Sequence, residues 1–410
     1  MKIRGERKMK LHGYSLEKIK HVGLVLILSV MIGVLVGAMD AGFGIVLNHL
    51  ANIFQTHRLV LLPFLPFAGM AFIYLQRRYG KDSHLGMGLI FKAGYGEIAS
   101  VPKRLVPFAI VGTWLTHLFG GSAGREGVAV QIGATVAHWF GRQFKGMNYK
   151  RFIVIGMASG FAGLFQTPIA AIFFAMEVLV VGHLTYDVLL PTMVAAFAAS
   201  FTSAFLGLDK FSYQLVVDDR LPWFLIIRLI ILGLIFGLVG YLFAKAMRFT
   251  RLTLENHLPN PVWRIGVIGL ILSITLWFFD HGRYAGLGTN LIVASFHGGT
   301  IHPYDWLLKL VFTALTLASG FLGGEVLPMF AIGSCLGAAL APWLHLPVDF
   351  VAALGFASVF GSATNTFIAP IFIGAEVFGF DGIPYFFIVC AIGYLCNGNR
   401  SVYSLQRSEI

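Results

Sequence analysis

Apolar runs long enough to cross a bilayer recur from near the start of this chain almost to its end. The clearest are residues 21–39, 58–76, 105–120, 188–208, 222–246, 263–279 and 382–396. A helix needs about 20 apolar residues to span the hydrocarbon core. Lipid offers no partner to a free backbone amide, so a spanning segment must be a helix or part of a closed barrel. The runs lack the period-two alternation of barrel strands, and the fold class they imply is an all-α polytopic membrane protein. Only 12% of the residues are charged, against about 25% in a soluble domain, so most of the surface cannot face water.

A net charge of +11 would suggest nucleic acid as a partner in a soluble protein. Here the basic residues gather between Lys2 and Lys20 and in short loops, at Arg77, Arg78 and Lys81 and at Arg142, Lys145, Lys150 and Arg151. That is a positive-inside pattern. It makes residues 1–20 a cytoplasmic basic segment and the bilayer, not a nucleic acid, the partner. Residues 1–21 do not read as a secretory signal, because the apolar core that follows is too long and lacks a cleavage site. Cys335, Cys390 and Cys396 sit singly in apolar runs, and no histidine pair has ligand spacing, so neither metal nor cofactor is expected.

Residues 157–178, MASGFAGLFQTPIAAIFFAMEV, match residues 356–377, FASVFGSATNTFIAPIFIGAEV, without a gap at an offset of 199, with ten identities in 22 positions. The same offset relates Leu118 to Leu317, Gly121 to Gly320, Gly124 to Gly323 and Glu126 to Glu325. It is close to half the chain. The organisation expected is a first transmembrane repeat over 21–208, a polar linker over 209–221 and a second repeat over 222–410. Transporters built this way hold their substrate between the repeats near the midplane.

Five acidic residues lie in or beside apolar segments: Asp40, Glu126, Glu177, Glu325 and Glu376. A charge deep in lipid costs several kcal/mol, by most scales about 3 or more, and calls for a partner or a purpose. Glu126 lies in GGSAGREGVAVQIGA, where a glycine loop breaks into a helix. Unpaired amides at a helix start attract anions. A carboxylate there can occupy the anion site itself and vacate it on protonation, or it can simply cap the helix beside Arg125. Glu325, in ASGFLGGEVLPMFAIGS, has the same setting with Pro328 in the first turn; it is expected to be structural. Capping or pairing is the expectation for Glu177 and Glu376. Asp40 is expected to be paired or to face water. No nucleophile–base pair lies near either glycine loop, which speaks against an enzyme.

GREGVAVQIGA resembles the GREGP signature of the CLC chloride channel and transporter family, with Val128 in place of proline. GGEVLP at 323–328 resembles that family's G-x-F-x-P motif, with Val326 at the Phe. GMGLI at 86–90 stands where chloride members have GSGIP, and SVYSLQ at 401–406 looks like the stretch holding the central tyrosine, here Tyr403. GMGLI, GREGV and GGEV together are most similar to the fluoride-exporting branch. The resemblance implies two inverted-topology repeats with broken, re-entrant helices and a homodimer with one pore per subunit; the cytoplasmic regulatory domain of many members is not expected, because the sequence ends seven residues after Tyr403. It also implies Glu126 as the gating and proton-transfer residue, with Met87, Gly88, Leu89, Gly127, Val326, Leu327, Phe360 and Tyr403 around the anion. Met87 replaces a donor serine, Val178 replaces an inner proton-transfer glutamate, and Leu327 stands where the branch often has threonine. The activity implied is fluoride/proton antiport across a bacterial inner membrane, with a chloride channel or chloride/proton exchanger as the alternative.

Overall fold

The computed structural model describes residues 2–144, 147–217 and 221–408, with side chains described from residue 20. The side chains of the basic N-terminal segment, Lys145 of the basic loop and residues 218–220 of the linker lie outside the described residues. Sixteen α-helices are present among the described residues. The first eight are α1 (Lys2–Leu61, broken at His57), α2 (Leu65–Tyr79), α3 (Met87–Tyr95), α4 (Leu105–Leu118), α5 (Glu126–Gln143), α6 (Tyr149–Phe165), α7 (Pro168–Glu177) and α8 (Leu189–Phe205). The second eight are α9 (Trp223–His257), α10 (Pro261–Phe278), α11 (Thr289–Phe296), α12 (Asp305–Ser319), α13 (Val326–Leu344), α14 (Val348–Thr364), α15 (Ile368–Phe378) and α16 (Ile383–Leu395). Each helix of the first eight has a counterpart in the second. Among the described residues, five helical stretches are long and apolar enough to cross a membrane. The shorter apolar helices, such as α7, α14 and α15, are the broken segments that glycine loops and left-handed residues create.

The duplicated stretch is two helices, not one. α6 ends at Gln166 (φ 56°) and α14 at Asn365 (φ 55°), a left-handed stop at equivalent positions. The preceding loops end α4 and α12 at Gly120 (φ 84°) and Gly320 (φ 117°), a backbone region open mainly to glycine.

Counterparts run antiparallel, which makes the repeats inverted. Gly124 and Gly324 exchange backbone hydrogen bonds of 2.6 and 2.7 Å as an antiparallel bridge. Glu177, the last residue of α7, accepts from the amides of Phe367, Ile368 and Ala369 at the start of α15. Glu376, near the end of α15, accepts from Ile169 and Ala170 at the start of α7. Phe173 and Phe372 stack between them, centroids 5.0 Å apart. Each carboxylate thus satisfies orphan amides of its counterpart helix.

The bridge sets the register of these loops at 200, not 199. Glu126 opens α5, whereas Glu325 is the residue before α13, where Arg125 stands in the first repeat. The two glutamates are not structural counterparts. From Glu126 to the start of α6 is 23 residues and from Val326 to the start of α14 is 22; this one-residue difference lies in the helical hairpin, where the sequence comparison held the offset fixed.

Within each hairpin, glycine lets backbones touch. A Cβ at Gly133 would overlap the Gly156 carbonyl, and one at Gly333 would overlap that of Gly355. Such small-residue contacts are how helices associate without a hydrophobic drive between them.

Candidate functional site

The starts of α5 and α13 converge, and Glu126 lies where they meet. Its side chain is fully buried. Oε2 accepts from the Arg125 amide and, across the repeat boundary, from the Leu327 amide in the first turn of α13, both at 3.2 Å. Oε1 has no hydrogen-bond partner among the described residues. The Arg125 guanidinium approaches it at 3.7 Å and is itself held by Asn48 of α1 at 2.6 Å. A carboxylate therefore occupies the position that two helix N-termini make attractive to an anion.

Two spaces are lined by its neighbours in the chain and across the repeat boundary. A cavity of about 480 Å³ is lined by Met87, Gly88, Gly127, Gln131, Glu325 and Tyr403. A pocket of about 40 Å³ is lined by Arg125, Phe165, Asp209, Leu327 and Phe356. Gly127 lines the first, Arg125 and Leu327 line the second, and Glu126 itself lines neither. The large cavity is also lined by Arg77, Lys92, Arg251 and Arg264, with Glu255 as acidic company.

Tyr403 reaches the cavity because the segment after α16 is tied down. Asn397 donates to Asn365 (2.7 Å) and to the Ser362 carbonyl (3.1 Å), and Asn365 donates to Asn399 (2.8 Å). Val402 bonds the Ala363 carbonyl, and Gln406 bonds the carbonyls of Val178 and Thr364. The parallel pairing of Val180–Val181 with Arg407–Ser408 closes the tail. The Tyr403 hydroxyl is buried and, like Glu126 Oε1, has no hydrogen-bond partner among the described residues. Two buried polar atoms without partners border the same site, the arrangement expected where a polar guest belongs.

Met87, Gly88, Gly127 and Tyr403 line the cavity, and Leu327 supplies an amide to Glu126 and a wall to the smaller pocket. Leu89 and Val326 are buried beside them without lining either space. Phe360 is also fully buried and lines neither; its ring packs on Phe330 (5.2 Å), Phe174 (5.8 Å) and Phe161 (6.5 Å). It meets the site through Phe174, which touches Tyr403 at 6.4 Å. Glu325, expected to be structural, lines the cavity. Asp40 corrects another expectation: it is fully buried, and neither oxygen has a hydrogen-bond partner among the described residues. It packs on Gly163 of α6, because its face of α1 turns toward the protein rather than toward water.

Three residues escaped the sequence reading. Gln131 lines the cavity one turn beyond Gly127, Asn48 orients Arg125, and Lys309 is fully buried in α12. Lys309 carries a legible signal, a lone cation in an apolar helix.

Residues 68–398 match the family model described as voltage gated chloride channel. A chloride/fluoride channel protein of Pseudomonas syringae pv. tomato is 36% identical over 403 residues, covering 96% of this chain and 88% of its own. A crystal structure of a CLC-type fluoride/proton antiporter superposes with a TM-score of 0.93 at 53% identity, covering 94% of this chain and 98% of its own. A slow cyanobacterial chloride/proton antiporter superposes with a TM-score of 0.81 at 21% identity, covering 93% and 96%; that likeness shows the fold alone.

Proposed function

We propose, from the premise that the chain belongs to the voltage-gated chloride channel (CLC) family, that it is a fluoride/proton antiporter with Glu126 as its gate and proton carrier. One observation carries this reading: the Glu126 carboxylate accepts the Leu327 amide of the opposite repeat, in the position an anion would take. Ionised, the side chain competes with the anion. Protonated, it loses its charge and gives up those amides, so the movement of one side chain links proton uptake to anion entry. Fluoride is small and strongly hydrated, and dense, aimed amide donors can replace its shell. The relatives named for fluoride support that choice of ion, as does Met87 on the cavity wall.

The basic lining of the large cavity supports its assignment as the cytoplasmic entrance, since Arg77, in the last turn of α2, belongs to a basic cluster placed inside by its charge. Charges of one sign around a cleft with low-dielectric walls concentrate counter-ions. Inward proton flow through a bacterial inner membrane would then drive fluoride out. Met87, Gly88, Gly127, Val326, Leu327 and Tyr403 are assigned to the anion path, and Phe360 to its aromatic wall. The protein would work as a homodimer with one pore in each subunit; α8 presents Met193, Phe197 and Phe201 outward, an apolar surface fit for a partner or lipid.

The test is flux from liposomes loaded with fluoride. Fluoride efflux accompanied by proton uptake supports the reading; chloride moving as fast as fluoride, or efflux without protons, sinks it.

A further inference from the structure

A lysine buried in an apolar helix is costly unless its charge is satisfied. Lys309 of α12 is fully buried, and no carboxylate among the described residues pairs with it. The nearest acid on its own helix, Asp305, is already engaged by Arg283 (2.7 Å) and the Tyr284 hydroxyl (2.6 Å). The Lys309 ammonium instead donates to Ser122 Oγ (2.9 Å) and to the carbonyls of Tyr284 (3.2 Å) and Gly286 (2.8 Å). An ammonium has three donors, and each has an oxygen.

Those oxygens belong to different repeats. Ser122 lies in the loop that carries Glu126, whereas Tyr284 and Gly286 lie in the loop before α11. The join is reinforced by backbone bonds from Ala123 to the Gly286 carbonyl (3.3 Å) and from Gly286 to the Gly121 carbonyl (3.2 Å). Ser122 also meets Thr313 through its hydroxyl (3.0 Å) and Thr316 through its amide (3.3 Å). His117 of α4 places Nε2 3.0 Å from the Ala123 carbonyl, so the loop is held on two sides. Four residues after Ser122 the chain reaches the carboxylate that must meet Leu327.

We propose that Lys309 is a positioning residue for the gate: its ammonium clamps the 121–125 loop to the opposite repeat, so that Glu126 is presented to the α13 start. This rests on the reading of Glu126 as the gate. A loosened loop would leave the carboxylate a poorer competitor for the site. Anions would then slip through without a proton.

The experiment compares wild type with Lys309→Met, Lys309→Arg and Ser122→Ala in the same liposomes, together with amide hydrogen exchange over residues 121–127. Lys309→Met has a similar length and no charge; it is expected to lower the protons moved per fluoride about threefold and to speed exchange in the loop. Ser122→Ala, which removes one acceptor and keeps the cation, is expected to move both readouts the same way by a smaller factor. Lys309→Arg, which keeps donors and charge, is expected to restore coupling. Wild-type coupling and exchange in Ser122→Ala and in folded Lys309→Met would overturn the inference. So would a folded Lys309→Arg as uncoupled as Lys309→Met. If Lys309→Met does not fold, Ser122→Ala decides: slower coupling with faster exchange supports the clamp, and no change in either refutes it. Failure of the wild type itself to couple protons to fluoride would instead count against the proposed function, and the exchange data would still report on the clamp.

Discussion

Replacing Glu126 by glutamine should strengthen fluoride binding while abolishing proton-coupled turnover. The carboxylate holds two amides, those of Arg125 and Leu327, each at 3.2 Å. A hydrogen bond to an ionised group contributes about 1.5–3 kcal/mol net, and a neutral one about 0.5–1.5. The exchange to glutamine therefore weakens the side chain's hold by about 1 kcal/mol per bond, or about 2 for the pair. At about 1.4 kcal/mol per factor of ten, a fluoride ion competing for the same amides gains about thirtyfold in affinity. Alanine, which leaves no competitor, should gain more. Isothermal titration of fluoride into detergent-solubilised wild type, Glu126→Gln and Glu126→Ala gives the order directly. Proton uptake by liposomes under a fluoride gradient gives the coupling. Affinity equal in all three proteins would refute competition for a shared site, and glutamine protein that still exchanges protons would refute the carrier role.

Glu177→Gln should destabilise the fold by about 2–3 kcal/mol, since three amides of α15 lose an ionised acceptor. Glu376→Gln should cost less, with two amides affected; thermal melts that rank them the other way would contradict the reciprocal-cap description. Reversing charge at Arg251, in the cavity lining, should raise the KM for fluoride from that side several-fold at low salt and leave the maximal rate unchanged. The effect should fade as added salt shortens the Debye length to about 8 Å; a salt-independent effect would mean the residue acts by contact. Met87→Ser adds a hydroxyl donor to the cavity wall, and chloride should then compete with fluoride more strongly in efflux assays. Unchanged chloride competition would remove Met87 from the account of selectivity.

Much of this could be read from the chain because membrane folding leaves plain marks. The apolar runs became helices, since lipid permits little else, and the glycine loops before Glu126 and Glu325 became the two converging helix starts. The duplicated sequence correctly announced two halves. It gave the wrong partner for Glu126, because a one-residue difference between the helical hairpins shifts the loop register without disturbing either stretch of identity. Asp40 departs from its expectation for a related reason: helical spacing says which residues share a face, but not whether that face meets water or α6. The supports of the site were illegible for a different cause. Asn365, Asn397 and Asn399 hold Tyr403 through contacts that form only when the tail folds back on α14. Asn48 meets Arg125 across 77 residues. Phe360 shows what a motif leaves out: it places the ring near the anion path, but not the rings of Phe330 and Phe174 that pack around it.

The central claim is that one carboxylate between two helix starts exchanges places with fluoride as it gains and loses a proton. The most direct measurement follows fluoride and pH together in liposomes containing wild-type protein, with chloride present at equal concentration. Fluoride efflux with stoichiometric proton uptake, little chloride movement, and loss of both coupled fluxes on Glu126→Gln are the expected results. Fluoride efflux that proceeds without proton uptake in the wild type would contradict the account.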